Sequence, residues 1–224
     1  MTRLSVLVVG ASRGIGLECC RQYLADGARV VATARSSEGL ATLSALGARA
    51  LRLDTTRLDS TAGLAWQLDG ERFDIAVLSA GVYVPGSDAL APPTEAQFDT
   101  VMHTNVLGPM RVLSQMTEAL APGARLVVLS SRLGSIGSRT ATFGWLYRAS
   151  KAALNSVLKD ASLALGDRAT CVAVHPGWVR TDMGGEGADL AVEDSVASLR
   201  ALIGRLTPQD TGRFLDHDGA AIPW

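Results

Sequence analysis

Short apolar runs alternate along this chain with longer stretches of helical spacing, and this alternation constrains the fold more than any other feature. The apolar runs lie at residues 4–9, 29–34, 50–53, 75–78, 126–129, 171–174 and 214–215. They show little polar alternation, which is typical of parallel strands that are buried on both faces. Helical patterns lie between them, the longest at 94–120, 146–165 and 190–203. We therefore predict an α/β fold, a doubly wound, seven-stranded parallel sheet with helices on both faces.

Length and charge limit the partners of such a fold. The 224 residues suit a single domain over 1–224, and 21 basic against 22 acidic side chains give a net charge of −1. No global field would draw the chain to nucleic acid or to a membrane, so a small molecule is the expected partner.

The cysteines and the first residues bear on the compartment. Three cysteines, two of them adjacent at Cys19 and Cys20, do not form a disulfide framework. The apolar run before Arg13 is too short for a signal peptide, and no stretch approaches the roughly 20 apolar residues of a membrane span. We expect a cytoplasmic protein.

A glycine-rich turn joins the first strand to the first helix. Its sequence is Gly10-Ala-Ser-Arg-Gly-Ile-Gly16. Glycines permit a tight turn and a close approach of phosphate to backbone N–H groups at a helix N-terminus. A glycine cluster alone can be an ordinary turn, but this strand-to-helix setting is that of a Rossmann-type dinucleotide site. We predict binding by Gly10, Ser12, Arg13, Gly14, Ile15 and Gly16.

The end of the second strand indicates which dinucleotide is bound. An acidic residue there would hold the ribose of NAD, but this strand ends in Arg35, and Arg13 lies in the glycine turn. Guanidinium groups suit phosphate, so NADP(H) is favoured over NAD(H), although either arginine can simply be solvated. Asp54, beside Thr55, either accepts from the adenine amino group or caps the helix that follows.

Tyr147 and Lys151 are four residues apart on a predicted helix and therefore share one face. An ammonium beside a phenol favours the phenolate, which makes the tyrosine a proton donor and acceptor near neutral pH. Alone, such a pair is more often a surface tyrosine above a solvated lysine.

Several further motifs, found in the order typical of one family, favour the catalytic interpretation of Tyr147 and Lys151 over the surface one. With Ser79-Ala-Gly81, Asn105, Ser131 and Pro176-Gly177, the chain resembles the short-chain dehydrogenase/reductase family over nearly its full length. The segments Ser-Ser-Arg-Leu-Gly-Ser-Ile136 and Asp-Gly-Ala-Ala-Ile-Pro-Trp224 are similar to the carbonyl-reductase branch of Sniffer and the bacterial C-factor. Ser79 replaces the usual asparagine, and the interval from Ser131 to Tyr147 is longer than in many relatives.

The resemblance implies a role for each matched residue. Tyr147 would exchange a proton with the substrate oxygen, Ser131 rather than Ser130 would donate to that oxygen, and Lys151 would bind the nicotinamide ribose. Asn105 would hold a water that links the lysine to solvent. The catalytic set is Ser131, Tyr147, Lys151 and Asn105. The cofactor would also be contacted by three of these, Tyr147, Lys151 and Asn105, and by Ala80, Gly81, Pro176, Gly177, Val179 and Thr181.

The predicted function is an NADP(H)-dependent carbonyl reductase or alcohol dehydrogenase acting on a small carbonyl or alcohol. The alternative is a nucleotide-binding signalling or regulatory factor of C-factor type with little turnover. Phe143, Trp145 and Trp178 either form apolar walls for the substrate or belong to the core. The histidines and cysteines lack metal-ligand spacing, so we predict no metal site. The resemblance implies a homodimer or homotetramer.

Overall fold

The structure, a computed structural model, describes residues 3–85 and 90–224. Seven parallel strands pair in the order β3-β2-β1-β4-β5-β6-β7. They are β1 (Ser5–Val9), β2 (Arg29–Ala34), β3 (Arg49–Arg52), β4 (Phe73–Leu78), β5 (Leu120–Leu129), β6 (Ala169–His175) and β7 (Arg213–Asp216). The predicted doubly wound α/β class is confirmed.

The helices cover both faces of this sheet. They are α1 (Gly14–Ala25), α2 (Ser37–Ala45), α3 (Leu58–Ala62), α4 (Leu64–Gln67), α5 (Glu95–Met102), α6 (Gly108–Met116), α7 (Trp145–Leu165) and α8 (Val192–Arg205). Among the described residues, no helix is both long and apolar enough to cross a bilayer.

Each central strand contributes side chains to two hydrophobic cores, one on each face of the sheet. In β1, Val6 and Val8 pack with Cys19, Tyr23 and the α8 side of the sheet, where Leu199 and Ile203 lie. Leu7 and Val9 point to the opposite core, which includes Val112 and Met116 of α6 and Leu154 and Leu158 of α7. All five residues of β1 are buried, which explains why the strand has no polar alternation.

The helical pattern predicted across 94–120 is interrupted at its middle. A π-helical turn, His103–Leu107, separates α5 from α6, and its last bond runs from the Gly108 N–H to the His103 carbonyl. In a regular α-helix the Asn105 carbonyl would accept from residue 109, but Pro109 has no N–H to donate. The pattern also ends early, because Leu120 already belongs to β5.

The strand order reverses between β1 and β4, so the crevice beyond their carboxyl ends is where a doubly wound sheet binds ligands. The glycine turn follows β1, and Ser79-Ala-Gly81 follows β4. The fold therefore brings the two motifs together at one edge.

Candidate active site

The glycine turn is packed so closely that side chains are excluded from two of its positions. A Cβ on Gly10, whose φ is +83°, would lie 2.7 Å from the Ala80 nitrogen. A Cβ on Gly16 would lie 2.3 Å from the Gly10 carbonyl oxygen. Arg13 occupies the N-cap of α1 without a side-chain capping bond, so the first N–H groups of the helix remain available. Backbone donors and the helix dipole together form a cradle for an anion.

One cleft runs from this turn to Tyr147 and Lys151. Most predicted site residues line it: Gly10, Ser12, Arg13, Gly14, Ile15, Arg35, Asp54, Thr55, Ala80, Gly81, Tyr147, Lys151, Pro176 and Thr181. Within the described chain, five predicted residues are not among those that line the cleft, and of the two adjacent serines it is Ser130 that lines it. The five are Gly16, Asn105, Ser131, Gly177 and Val179. Val179 is buried and bridges to Leu190, and Gly177 packs against Leu190 and His217. Their contribution is to shape the wall.

The two arginines predicted to bind phosphate differ in their surroundings. Arg13 is already paired, because its guanidinium donates to the Asp182 carboxylate at 2.9 Å across the cleft. Arg35 is exposed, and among the described residues its guanidinium has no hydrogen-bond or ion-pair partner. In the free protein, Arg35 is therefore the better placed cation for an incoming phosphate.

Asp54 does not cap the helix that follows, because the N-cap of α3 is Arg57; Asp54 instead caps the turn before that helix. One of its oxygens accepts from the N–H of Thr56 at 3.0 Å and from the Thr56 hydroxyl at 2.6 Å. Burial opposes ionisation, but these bonds and the nearby Arg35 hold the pKa of Asp54 below its usual value. The carboxylate also lines the cleft, so capping does not preclude contact with a base.

Tyr147 and Lys151 lie together, with the ammonium nitrogen 5.7 Å from the centre of the phenol ring. Burial raises the pKa of Tyr147 to about 12, against the opposing effect of the nearby Ser131 hydroxyl. Burial lowers the pKa of Lys151 to about 8, and its ammonium donates to the Leu129 carbonyl at 2.9 Å. The free protein thus differs from the expectation of a phenolate, since its phenol stays protonated at neutral pH.

The two adjacent serines have separate partners. Ser130 donates its hydroxyl to the Asn155 side chain at 2.5 Å, in the interior. Ser131 accepts from the Leu133 N–H at 3.2 Å and also lies close enough to the Tyr147 phenol to affect its pKa. Because Ser131 accepts that bond, its own hydrogen can be donated elsewhere. The chemistry predicted for the second serine is therefore available to it.

Asn105 lies in the π-helical turn and is fully buried. Its side chain accepts from the Val82 N–H at 2.8 Å and donates to the Val82 carbonyl at 2.9 Å and the Ser150 hydroxyl at 3.0 Å. These bonds tie the loop after β4 to α7 at Ser150, one residue before Lys151. Pro109 leaves the Asn105 main-chain carbonyl without its α-helical donor, and this oxygen is the group suited to hold a water.

Sequence reasoning missed several residues that complete the site. Tyr83 meets the Tyr147 ring edge to face with centroids 5.4 Å apart, and Asp182 and Met183 line the cleft. Tyr83 follows Ser79-Ala-Gly81 closely enough that its position was a usable signal. Asp182 had none, because the partner of Arg13 is 169 residues away.

The predicted aromatic walls are outside the core. Phe143 and Trp178 are about half exposed, and Trp145 is partly exposed. The guanidinium of Arg148 covers the Phe143 ring at 4.4 Å, and the Trp178 indole donates to the Gly184 carbonyl at 2.9 Å. Within the described chain, no cluster of three or more potential metal ligands occurs.

Comparison with known proteins identifies the family. The family model described as short chain dehydrogenase matches residues 5–189, well over half of the chain. The chain belongs to this short-chain dehydrogenase family. The glycine turn, Tyr147 and Lys151 all fall within the matched residues.

Individual relatives of this short-chain dehydrogenase include carbonyl reductases of solved structure and a protein named C-signal. A carbonyl reductase from Pseudomonas aeruginosa PAO1 in complex with NADP is 33% identical with a TM-score of 0.88, and each chain covers all of the other. Carbonyl reductase Sniffer of D. melanogaster is 28% identical, also over all of both chains, with a TM-score of 0.87. C-signal of Myxococcus xanthus is 43% identical over 123 residues, which are 54% of this chain and 74% of that protein. The predicted resemblance to the Sniffer and C-factor branch is confirmed.

Proposed function

We propose that this oxidoreductase uses NADP(H) to interconvert a small carbonyl compound and its alcohol. The observation that carries the proposal is the cleft itself: an anion cradle lies at one end, and Tyr147 and Lys151 lie at the other. A related carbonyl reductase of P. aeruginosa was solved in complex with NADP, which supports both the cofactor and the reaction class.

The residues present fit a phosphorylated dinucleotide. The cradle at Gly10 and Gly16 admits a backbone-bound pyrophosphate, and Arg35, which has no partner among the described residues, would bind the extra phosphate. When bound, NADPH supplies the hydride. Lys151 would hold the ribose next to the nicotinamide, while Pro176 and Thr181 would line its other side.

The chain's own contribution is to move a proton and to hold the carbonyl oxygen. Tyr147, protonated at neutral pH, donates its proton to that oxygen as negative charge develops there. Ser131 donates a hydrogen bond to the same oxygen and fixes its position. Lys151 and a water held by the Asn105 carbonyl would provide the route by which Tyr147 regains a proton from solvent.

The proposal is tested with the purified protein, NADPH and a panel of aldehydes, ketones and quinones. We expect NADPH consumption with at least one of these classes and formation of the matching alcohol. NADH serves as the control cofactor and should support a lower kcat/KM. Absence of turnover with every class, under conditions in which NADPH binds, would overturn the proposed reaction.

The second candidate is a nucleotide-binding regulatory factor, and similarity to C-signal favours it. That similarity covers 123 residues, about half of this chain. A regulatory factor requires the cradle but has no need of a tyrosine, a serine and a buried lysine grouped together in the cleft. Tight NADPH binding with no turnover would support this candidate, whereas turnover lost in Tyr147→Phe supports catalysis.

We further propose that the protein works in the cytoplasm as a homodimer or homotetramer. Its three cysteines are buried and free, which suits a reducing compartment. Sedimentation equilibrium of the purified protein tests the assembly, and a monomer at micromolar concentration would contradict it.

A further inference from the structure

The segment that follows Ser131 is hydrogen-bonded to the last residues of the chain. Ser135 is fully buried, and its hydroxyl donates to the Pro223 carbonyl at 2.6 Å and lies 3.3 Å from the Trp224 oxygen. The N–H groups of Ile136 and Gly137 donate to the same Trp224 oxygen at 2.8 and 3.0 Å. The two motifs that mark the carbonyl-reductase branch are thus bonded to each other.

The last residues are in turn fixed to β7. The Trp224 ring stacks on Phe214 with centroids 5.6 Å apart, and the Ile222 N–H donates to the Phe214 carbonyl at 2.8 Å. Asp216, at the end of β7, forms an ion pair with Arg132, the residue directly after Ser131. We call Asp216, Pro223 and Trp224, together with their bonds to residues 132–137, the tail clamp.

The opposite side of the same segment presses against the catalytic helix. A Cβ on Gly134 would lie 2.8 Å from both the main-chain carbon and the Cβ of Lys151. Residues 132–137 are therefore held between α7 and the tail clamp. The Leu133 N–H, within this segment, donates to the Ser131 hydroxyl at 3.2 Å and sets its orientation. Any shift of the segment moves the Ser131 hydroxyl relative to Tyr147.

We propose that the tail clamp positions Ser131 for catalysis, with Ser135 as its central positioning residue. The inference rests on the proposed carbonyl reduction and adds to it a requirement for the closing residues. A donor misplaced by a fraction of an ångström loses much of its effect on a developing oxyanion. A clamp that only stabilised the fold would instead change the melting temperature and leave turnover of the folded protein intact.

The first test is Ser135→Ala, with Ser138→Ala as the matched control. Ser138 is exposed three residues further on, and within the described chain its hydroxyl makes no hydrogen bond. We expect Ser135→Ala to lower kcat about ten-fold, part of the 10²–10³-fold effect of removing an oxyanion donor. The dissociation constant of NADPH should stay within about two-fold, because the nucleotide half of the cleft lies elsewhere. Ser138→Ala should match the wild type in both measurements.

A double mutant separates positioning from general stability. If Ser135 acts through Ser131, then Ser135→Ala should lower kcat no further in a Ser131→Ala background. Arg132→Gln provides a second variant, because the Arg132 side chain is largely exposed and its loss is compatible with folding. Its smaller decrease in kcat should likewise vanish in that background. Amide hydrogen exchange of residues 132–137 should be faster in both variants.

Two results would overturn the proposal. One is wild-type kcat in folded Ser135→Ala and Arg132→Gln, and the other is a full additional decrease when either is combined with Ser131→Ala. These failures are distinct from failure of the proposed function, in which the wild type itself reduces no carbonyl, and which would remove the basis of this inference.

Discussion

The two ends of the cleft are built in different ways. The nucleotide end comes from one continuous stretch, β1, the glycine turn and α1, and it works largely through backbone groups. The catalytic end gathers side chains from the π-helical turn, the loop after β5, α7 and the end of the chain. A local motif therefore specifies the cradle, to which Arg35 and Asp54 are added from the ends of β2 and β3, whereas the catalytic end depends throughout on long-range packing.

The two ends of the cleft also differ in how they affect the stability of the free protein. At the cradle, glycines permit close packing, and among the described residues no side chain caps α1, so its first N–H groups can bind a phosphate. At the other end, burial raises the pKa of Tyr147 and lowers that of Lys151, so both groups are held in an environment that disfavours charge. Such perturbed groups in a cleft are typical of functional sites and reduce the stability of the free protein.

The largest expected effect separates the two ends directly. Tyr147→Phe should lower kcat by about 10²–10⁴-fold, because it removes the proton donor while the ring remains. The NADPH dissociation constant, measured by fluorescence titration, should be unchanged. Retained turnover with an unchanged pH profile would show that another group supplies the proton.

A substitution in the cradle should have the opposite pattern of effects. Gly16→Ala places a Cβ 2.3 Å from the Gly10 carbonyl, so we expect loss of NADPH binding and a decrease of about 1–3 kcal/mol in the free energy of unfolding. Gly204→Ala is the matched control, since that exposed glycine in α8 has open space and should gain about 0.5–1 kcal/mol. Denaturant unfolding checks both, and equal effects would contradict the close packing of the turn.

Lys151→Met tests how much the buried ammonium at the catalytic end lowers the free energy of unfolding. Replacing the buried ammonium should stabilise the free protein by about 1–2 kcal/mol at pH 7, after the lost bond to Leu129 is offset, while abolishing turnover. Stabilisation is expected because burial lowers the pKa of Lys151 in the folded protein. Below pH 8 Lys151 is charged in both the folded and the unfolded protein, so folding bears the full cost of burying the ammonium. Between about 8 and 10.5 the folded state releases its proton first, so the difference between the variants should shrink.

Unfolding free energies at pH 7 and pH 10 measure this dependence. Lys159→Met, on an exposed position of the same helix, is the control and should show little change. A Lys151→Met protein less stable than the wild type at pH 7 would show that the ammonium contributes more than its burial costs.

The smallest effect concerns the choice of nucleotide. Arg35→Ala should weaken NADPH binding about ten-fold and leave NADH binding nearly unchanged, because only NADPH carries the extra phosphate. Equal losses for both nucleotides would remove Arg35 from the phosphate site.

The same contrast explains how far the sequence predicts the molecule. The central strands were predictable because buried parallel strands are continuous apolar runs, and the cradle was predictable from glycines between a strand and a helix. The edge strand β3 is not buried, and only its apolar residues Ala50 and Leu51 indicated it. The π-helical turn was missed because apolar periodicity does not register a missing N–H, although Pro109 was visible. The pairing of Arg13 with Asp182 and of Ser135 with Pro223 joins distant residues, which no local pattern reports.

The most direct test of the central claim follows the hydride itself. NADPH deuterated at the transferred position of nicotinamide C4 is incubated with a carbonyl compound that the wild type consumes, and the alcohol is examined by mass spectrometry and NMR. The account predicts one deuterium on the carbinol carbon with the wild type. Tyr147→Phe should form this labelled alcohol about 10²–10⁴-fold more slowly, although it still binds NADPH. The account would be contradicted by an alcohol that carries no deuterium, whichever of the two hydrogens on nicotinamide C4 is labelled.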